Sequence, residues 1–273
     1  NNMEAYPKVK RISVVTPCYR DIDTLEDHIL TFLDQDFDEK ELVLVDDGSK
    51  DGTKGIIQKY EKKYPGLVRG VYFPKNKGAC QARNEGAKVA TGDVLSFLPA
   101  DSFLNPGLLT QWMQSLDENP DCAFIYGGYN FVDSDLNKPS WDGGRTAMPY
   151  HSQEFDVREL KTSNYIDGSF PIRTSVYWDA AKKVGLKDGL WNHRVKSLQD
   201  WDFWLSVVVD LGAKGKFVPG QWFETTLPHQ GGLSYDSESN WLARTKQIQS
   251  LHGIKSSDLC VTSPWATFHG KSI

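Results

Sequence analysis

LVLVDDGSKDGT, running from Leu42 to Thr53, reads as a strand, a turn and a helix start in one unbroken stretch. Leu42 to Val45 are consecutive apolar residues, the pattern of a short strand buried on both faces in a parallel sheet. Asp46 and Asp47 follow directly, then Gly48-Ser49 and Asp51-Gly52-Thr53. Paired carboxylates at the carboxyl end of a buried strand stand where open α/β sheets bind ligands. The same residues also suit a plainer duty, capping the turn and the helix beyond it.

The segments on either side repeat the arrangement. Arg11 to Thr16 (RISVVT) reads as a first strand that ends at Pro17-Cys18-Tyr19-Arg20, where proline stops the ladder. Asp23 or Thr24 then caps a helix with Leu25, Ile29, Phe32 and Leu33 on one face. A helix is expected from about Gly52 to Tyr64, a third strand over Leu67–Phe73 and a turn at Asn76-Lys77-Gly78. An alanine-rich helix over Ala79–Ala90 and a fourth strand over Asp93–Leu98 follow. Strand and helix alternating with short connections imply an α/β fold with parallel strands. Beyond Asn105-Pro106 come a helix, a strand over Cys122–Tyr126 and a long irregular stretch from Asn130 to about Phe155, suited to a substrate-contacting lid. Ser169–Arg173 reads as a strand, Asp188–Lys196 as a second irregular stretch, and Asp200–Leu211 as a helix with Trp201 and Trp204 inward. Lys216–Phe223 is a strand broken by Pro219-Gly220, and a last helix lies near Asn240–Leu251.

The 273 residues carry 36 acids against 31 bases, well mixed, for a net charge of -5. That argues against a nucleic-acid surface built on bulk charge. No apolar run is long enough to span a bilayer, and no secretory signal opens the chain. Cys18, Cys80, Cys122 and Cys260 are widely spaced, which disfavours zinc and disulfides and fits reduced thiols in the cytoplasm. The chain has no Gly-x-Gly-x-x-Gly after the first strand, no Gly-x-x-x-x-Gly-Lys-Ser/Thr loop and no Gly-x-Ser-x-Gly elbow. The usual dinucleotide folds, P-loop enzymes and α/β-hydrolases are thereby disfavoured.

SVVTPCYR, LVLVDDGSKDGT, NKGACQARNEGA, TGDVLSFLPADS and QDWDFWL, in that order, resemble the family 2 inverting glycosyltransferases of the GT-A (nucleotide-diphospho-sugar transferase) fold. The likeness spans roughly residues 11 to 230. It implies a GT-A domain over 10–230, with a nucleotide-binding half at 10–103, an acceptor and catalytic half at 104–230, and a C-terminal extension over 231–273. It also implies a mostly parallel central sheet flanked by helices. The implied partners are a nucleotide-sugar donor, most simply a UDP-sugar, and a glycan, lipid-linked or protein acceptor. The implied cofactor is Mn²⁺ or Mg²⁺, and the implied setting is polysaccharide or glycan biosynthesis.

Residue by residue, the resemblance puts Thr16, Pro17 and Tyr19 around the nucleotide base, with Tyr19 either stacking on uracil or packing under its loop. Asp46 would accept from the uracil ring NH, since an ionised carboxylate only accepts, and Asp47 would support the ribose side or the turn. Lys77 and Arg83 are candidates near the diphosphate, with a solvated helix face as the alternative. Where the family carries a metal-binding Asp-x-Asp, this chain has Pro99-Ala100-Asp101 followed by Ser102. Asp101 is the remaining metal candidate, Ala100 lies in the nucleotide-binding turn, and His229 resembles a second ligand found in some relatives. Magnesium and manganese can use one or two carboxylates with phosphates and water.

The family's Glu-Asp pair is here Gln199-Asp200, making Asp200 the implied general base. Its alternatives are a simple helix-capping role for Asp200, or Asp202 as the base. Asp167 and Gly168 would face the donor sugar, and Trp191, Trp201 and the loop around Trp141 would shape the acceptor pocket. Because Pro99 and Gln199 each replace an acid, a weak or inactive nucleotide-sugar or glycan-binding module is the competing reading. A nucleotidyltransferase is disfavoured by the lack of a Gly-rich basic loop after the first strand.

Overall fold

The computed structural model describes residues 5–132, 148–226 and 238–255. β1 (Ile12–Cys18) leads to α1 (Leu25–Leu33), β2 (Lys40–Asp46) to α2 (Thr53–Lys63), and β3 (Val68–Tyr72) to α3 (Ala79–Val89). β4 (Val94–Ser96) turns into β5 (Ser102–Leu104), followed by α4 (Leu108–Glu118) and β6 (Phe124–Val132). Then come β7 (Met148–Tyr150), α5 (Val157–Leu160), β8 (Ile172–Arg173), α6 (Thr174–Lys183) and α7 (Gln199–Leu205). A turn of π-helix (Ser206–Asp210), β9 (Gly215–Thr226) and α8 (Glu238–Leu251) complete the described elements.

Among the described residues, nine strands form one sheet in the order β3-β2-β1-β4-β8-β6-β9-β5, with β7 beside β6. β1 is parallel to β2 and β4, and β2 to β3. β8 runs antiparallel to both β4 and β6, so β6 points the same way as β4, and β9 is parallel to β6. Six strands therefore end along one edge of the sheet. β5 and β8 run the other way, so the residues just before them, Asp101 and Asp167–Ser169, reach that same edge.

Every residue of β2 is buried, as its apolar run predicts. α1 turns Leu25, Ile29 and Phe32 inward. α3 packs on β1 and β2 at Gly86, where an added Cβ would collide with the Val15 side chain and approach Val45 to 3.1 Å. The small residues of this helix let it lie close to the sheet.

The structure corrects several expected boundaries. β1 runs through Pro17, which pairs with Val45, to Cys18. Proline is tolerated there because β4 leaves the other side of β1 after Val14. β9 is not broken at Pro219-Gly220. Its pairing shifts instead from Phe217↔Tyr126 to Gln221↔Gly128, and the extra residues are taken up as a bulge. β6 extends to Val132 and β7 begins at Met148, so both ends of the expected lid are strand. Its centre, including Trp141, lies outside the described residues. The Asp200 helix gives way to a π turn after Leu205.

Candidate active site

One corner of the shared edge is built by the turns after β1 and β2. Asp46 and Asp47 are buried, but their side chains do different work. Asp46 Oδ1 accepts from the Ser49 amide at 3.1 Å. Asp47 accepts from the amides of Lys77 at 2.6 Å and Gly78 at 2.8 Å, fastening the loop that starts α3. The Lys77 ammonium lies exposed over the Phe73 ring, 4.4 Å from its centroid. Tyr19 is 40% exposed, with the Arg20 guanidinium lying over one face of its ring. Arg20 itself has a positive φ of 62°, strain that bulky residues rarely carry away from functional turns.

Thr16 points into the core rather than the edge. Its hydroxyl lies 2.9 Å from His28 Nε2, while His28 Nδ1 lies 2.6 Å from the Ser102 carbonyl. A carbonyl only accepts, so Nδ1 carries the proton and Thr16 donates to Nε2. Burial, against the pull of the Ser102 bond, holds the His28 pKa down at about 4. Ala100 is also buried, as the middle of the turn between Pro99 and Ser102. Either residue can meet a ligand only through its backbone.

Asp101 accepts from the Thr226 hydroxyl at the end of β9. It lies in the field of Asp21, a residue the sequence reading did not single out. Asp21 Oδ2 accepts from the Tyr19 amide at 2.6 Å. Burial, offset in part by that bond and reinforced by Asp101, Asp51 and Asp46, lifts the Asp21 pKa to about 7. Asp101, Asp51 and Asp46 thus act on Asp21 as like charges, a field that a bound divalent cation would oppose. No cluster of three potential metal ligands occurs among the described residues, and His229 lies outside them. Asp101 is the described candidate ligand, and a single carboxylate suits a hard cation whose other ligands are phosphate and water oxygens.

A second group occupies the edge between β4 and β8. Ser96 Oγ donates to the Ser169 carbonyl at 2.7 Å, tying the Asp167-Gly168-Ser169 turn to the end of β4. Asp167 accepts from the Ser169 amide at 2.8 Å, and burial raises its pKa despite this bond and the Arg83 charge. The Arg83 guanidinium lies 4.3 Å from the Trp191 ring centroid. Arg83 Nε and Trp191 Nε1 are both buried donors without an acceptor among the described residues, which leaves both able to meet a ligand oxygen.

Asp200 borders this group. A Cβ on Gly168 would stand 2.5 Å from Trp191 Cη2 and 3.1 Å from Asp200 Cβ, so only glycine fits between them. Asp200 is the second residue of α7 and is not its cap. Leu198 holds the capping position with a positive φ of 57°. Asp200 accepts from the Trp201 amide at 3.0 Å and from the Asn164 side chain. Burial and then the Asp167 charge raise its pKa to about 6 against those bonds.

Asp202 faces elsewhere. It is buried, 3.0 Å from His252 Nε2, while His252 Nδ1 lies 2.5 Å from Asp210. Burial disfavours charge on this imidazole, but the two carboxylates outweigh it and raise its pKa. Trp201 is likewise in the core, its indole NH bonded to the Leu160 carbonyl at 2.6 Å.

The profile of glycosyl transferase family 2 matches residues 13–180, more than half of the chain. The chain belongs to glycosyl transferase family 2. This family 2 member is 36% identical over 124 residues to TuaG of Bacillus subtilis (strain 168), named for teichuronic acid biosynthesis; the match covers 45% of the chain and 48% of TuaG. The chain spans about half the length of the curated relatives it matches. Its fold is GT-A. S. aureus TarS 1–349 in complex with UDP-GlcNAc superimposes with a TM-score of 0.65 at 21% identity, over 88% of this chain and 66% of TarS 1–349. The mannosyltransferase PcManGT from Pyrobaculum calidifontis, solved with GDP-Man and Mn²⁺, gives a TM-score of 0.59 at 18% identity over 92% and 65% of the two chains. No helix among the described residues of this family 2 member is long and apolar enough to cross a membrane.

Asp21, Asn164 and Asn84 were not legible as site residues. Asn84 Oδ1 accepts from the Tyr177 hydroxyl and the Trp191 amide, so it builds the Trp191 wall. Its place in ARNEG was a signal without an assigned task. Asp21 and Asn164 acquire their surroundings only through packing between distant segments.

Proposed function

We propose that the chain is an inverting glycosyltransferase that moves a sugar from a nucleotide-diphosphate donor, a UDP-sugar, to an acceptor hydroxyl. The observation that carries this reading is Asp200, held against Gly168 and Trp191 with its pKa raised to about 6. A carboxylate so tuned is ionised at neutral pH yet basic enough to accept a hydroxyl proton. The acceptor oxygen attacks the anomeric carbon as Asp200 takes its proton, and the bond to the nucleotide diphosphate breaks on the opposite face. Asp202 is engaged by His252, which supports Asp200 as the base.

The nucleotide half is read as residues 10–103, the acceptor and catalytic half as 104–230, and the rest as an extension. Tyr19 and Asp46 would hold the base, and Asp47 fixes the loop bearing Lys77 at the same edge. The orphaned donors of Arg83 and Trp191 suit the oxygens of the diphosphate or donor sugar. Asp101 would hold Mn²⁺ or Mg²⁺, which when bound stabilises negative charge on the leaving diphosphate. The UDP-GlcNAc and Mn²⁺ in the two solved relatives support these choices. TuaG's role supports an acceptor in polysaccharide biosynthesis.

A donor panel that includes UDP-GlcNAc, assayed for UDP release with and without Mn²⁺, tests the reading. Asp200→Asn should lose about 100-fold or more in transfer while UDP binding by calorimetry persists. Wild-type turnover in that variant removes Asp200 from the chemistry. UDP binding indifferent to metal, with no release on any acceptor, favours the binding-module reading that Pro99 and Gln199 motivate.

A further inference from the structure

A pocket of about 260 Å³ is lined by Asn84, Lys187, Asp188, Trp191, His193 and Arg194 among others. Its floor is fixed. Asn84 Nδ2 donates to the Trp191 carbonyl at 2.8 Å, and its Oδ1 accepts from the Trp191 amide at 3.0 Å. Gly189 follows with φ +138°, and a Cβ there would run into Asn84 Oδ1, so the loop is seated directly on the asparagine. Its rim is basic. Lys187, His193 and Arg194 are exposed, and among the described residues none pairs with an acid. The one acid of the rim, Asp188, is engaged by Lys88 at 3.4 Å, and Lys88 also holds Glu85 at 2.8 Å.

Trp191 joins this pocket to the reaction site. Its ring edge meets Gly168 beside Asp200, Arg83 covers its face, and its backbone forms part of the pocket floor. We propose that the pocket is an acceptor subsite for an oxyanion, a phosphate or carboxylate carried one unit away from the hydroxyl that Asp200 deprotonates. A guanidinium and an ammonium on the rim of one hollow, neither paired with an acid among the described residues, suit such a group. An anionic acceptor would gain charge-assisted hydrogen bonds from these two side chains that a neutral glycan would not. The inference rests on Asp200 marking the acceptor end of the site.

The test uses the full chain with ¹⁵N-labelled tryptophan, the Trp191 indole signal being assigned by its loss in Trp191→Phe. With UDP saturating, glycerol 3-phosphate and glucuronate are titrated as the two kinds of anion, with glycerol as the neutral control. At least one anion should shift the Trp191 signal, glycerol should not, and Lys187→Ala/Arg194→Ala should weaken the response about tenfold or more with UDP affinity unchanged. Whichever anion binds more tightly names the acceptor's charged group. The proposal is overturned if neither anion shifts the signal, if the double variant responds like the wild type, or if UDP displaces the anion, which would assign the pocket to the donor. Should UDP not bind at all while the anion still does, the donor reading fails and the pocket stands.

Discussion

Gly168 and Asp200 touch so closely that a single methyl group on the glycine would stand 3.1 Å from the aspartate Cβ. The same methyl would lie 2.5 Å from the rigid Trp191 ring, so the strain cannot be passed to a flexible side chain. Gly168→Ala should therefore cost about 1–3 kcal/mol of stability and displace the carboxylate. Displacement on the order of an ångström lowers turnover by up to about 100-fold. Steady-state kinetics should show the loss in kcat, with the UDP dissociation constant nearly unchanged.

Activity should follow the ionisation of Asp200. With its pKa near 6, the rate falls as pH drops through about 6, because the protonated acid accepts nothing. Asp167 is one of the groups that raises that value, so Asp167→Asn should move the acidic limb of kcat/KM to lower pH. A limb that stays in place would separate the two carboxyls.

His252 ties α8 to the helix that carries Asp200. Its side chain and that of Asp202 are each 3% exposed, so His252→Ala strands a buried charge, at a cost of about 3 kcal/mol. The folded pKa of the imidazole is raised. Its contribution is therefore complete below the unfolded value of about 6.5 and is lost as pH rises through the folded value. Urea unfolding should show the largest gap between variant and wild type near pH 6 and a smaller one under alkaline conditions.

Asp21 carries a dependence of the same sign, in a window that begins at lower pH. Its folded pKa of about 7 lies far above the model-compound value of 3.8, so the folded state holds a proton that the unfolded state has lost. Stability attributable to this group falls as pH rises from about 4 to about 7. Asp21→Asn should abolish that decline, and its melting temperature should overtake the wild type's toward pH 8.

The strand-and-turn stretch from Leu42 was legible because burial on both faces leaves a continuous apolar run, and β2 is buried throughout. The position of Asp46 at the strand end followed from the same pattern. β5, only Ser102–Leu104, is too short to show a period and exists because β9 lies beside it. Pro17 misled because its tolerance depends on where β4 ends, a fact of the sheet rather than of the chain near it. Asp200 and Asp202 are two residues apart and look interchangeable in sequence. They part only once His252, fifty positions downstream, claims Asp202.

Thr16, His28 and Ser102 form a relay across β1, α1 and β5 in which the neutral ring leaves Nε2 unprotonated. A proton arriving at Nε2 would turn that nitrogen into a donor, and the Thr16 hydroxyl would have to turn its own proton away and accept. β1 and β5 would then be fastened through a buried charge instead of a neutral ring, which burial disfavours. Acid would thus act on this protein in two stages, on Asp200 near pH 6 and then, near pH 4, on the buried core behind the site.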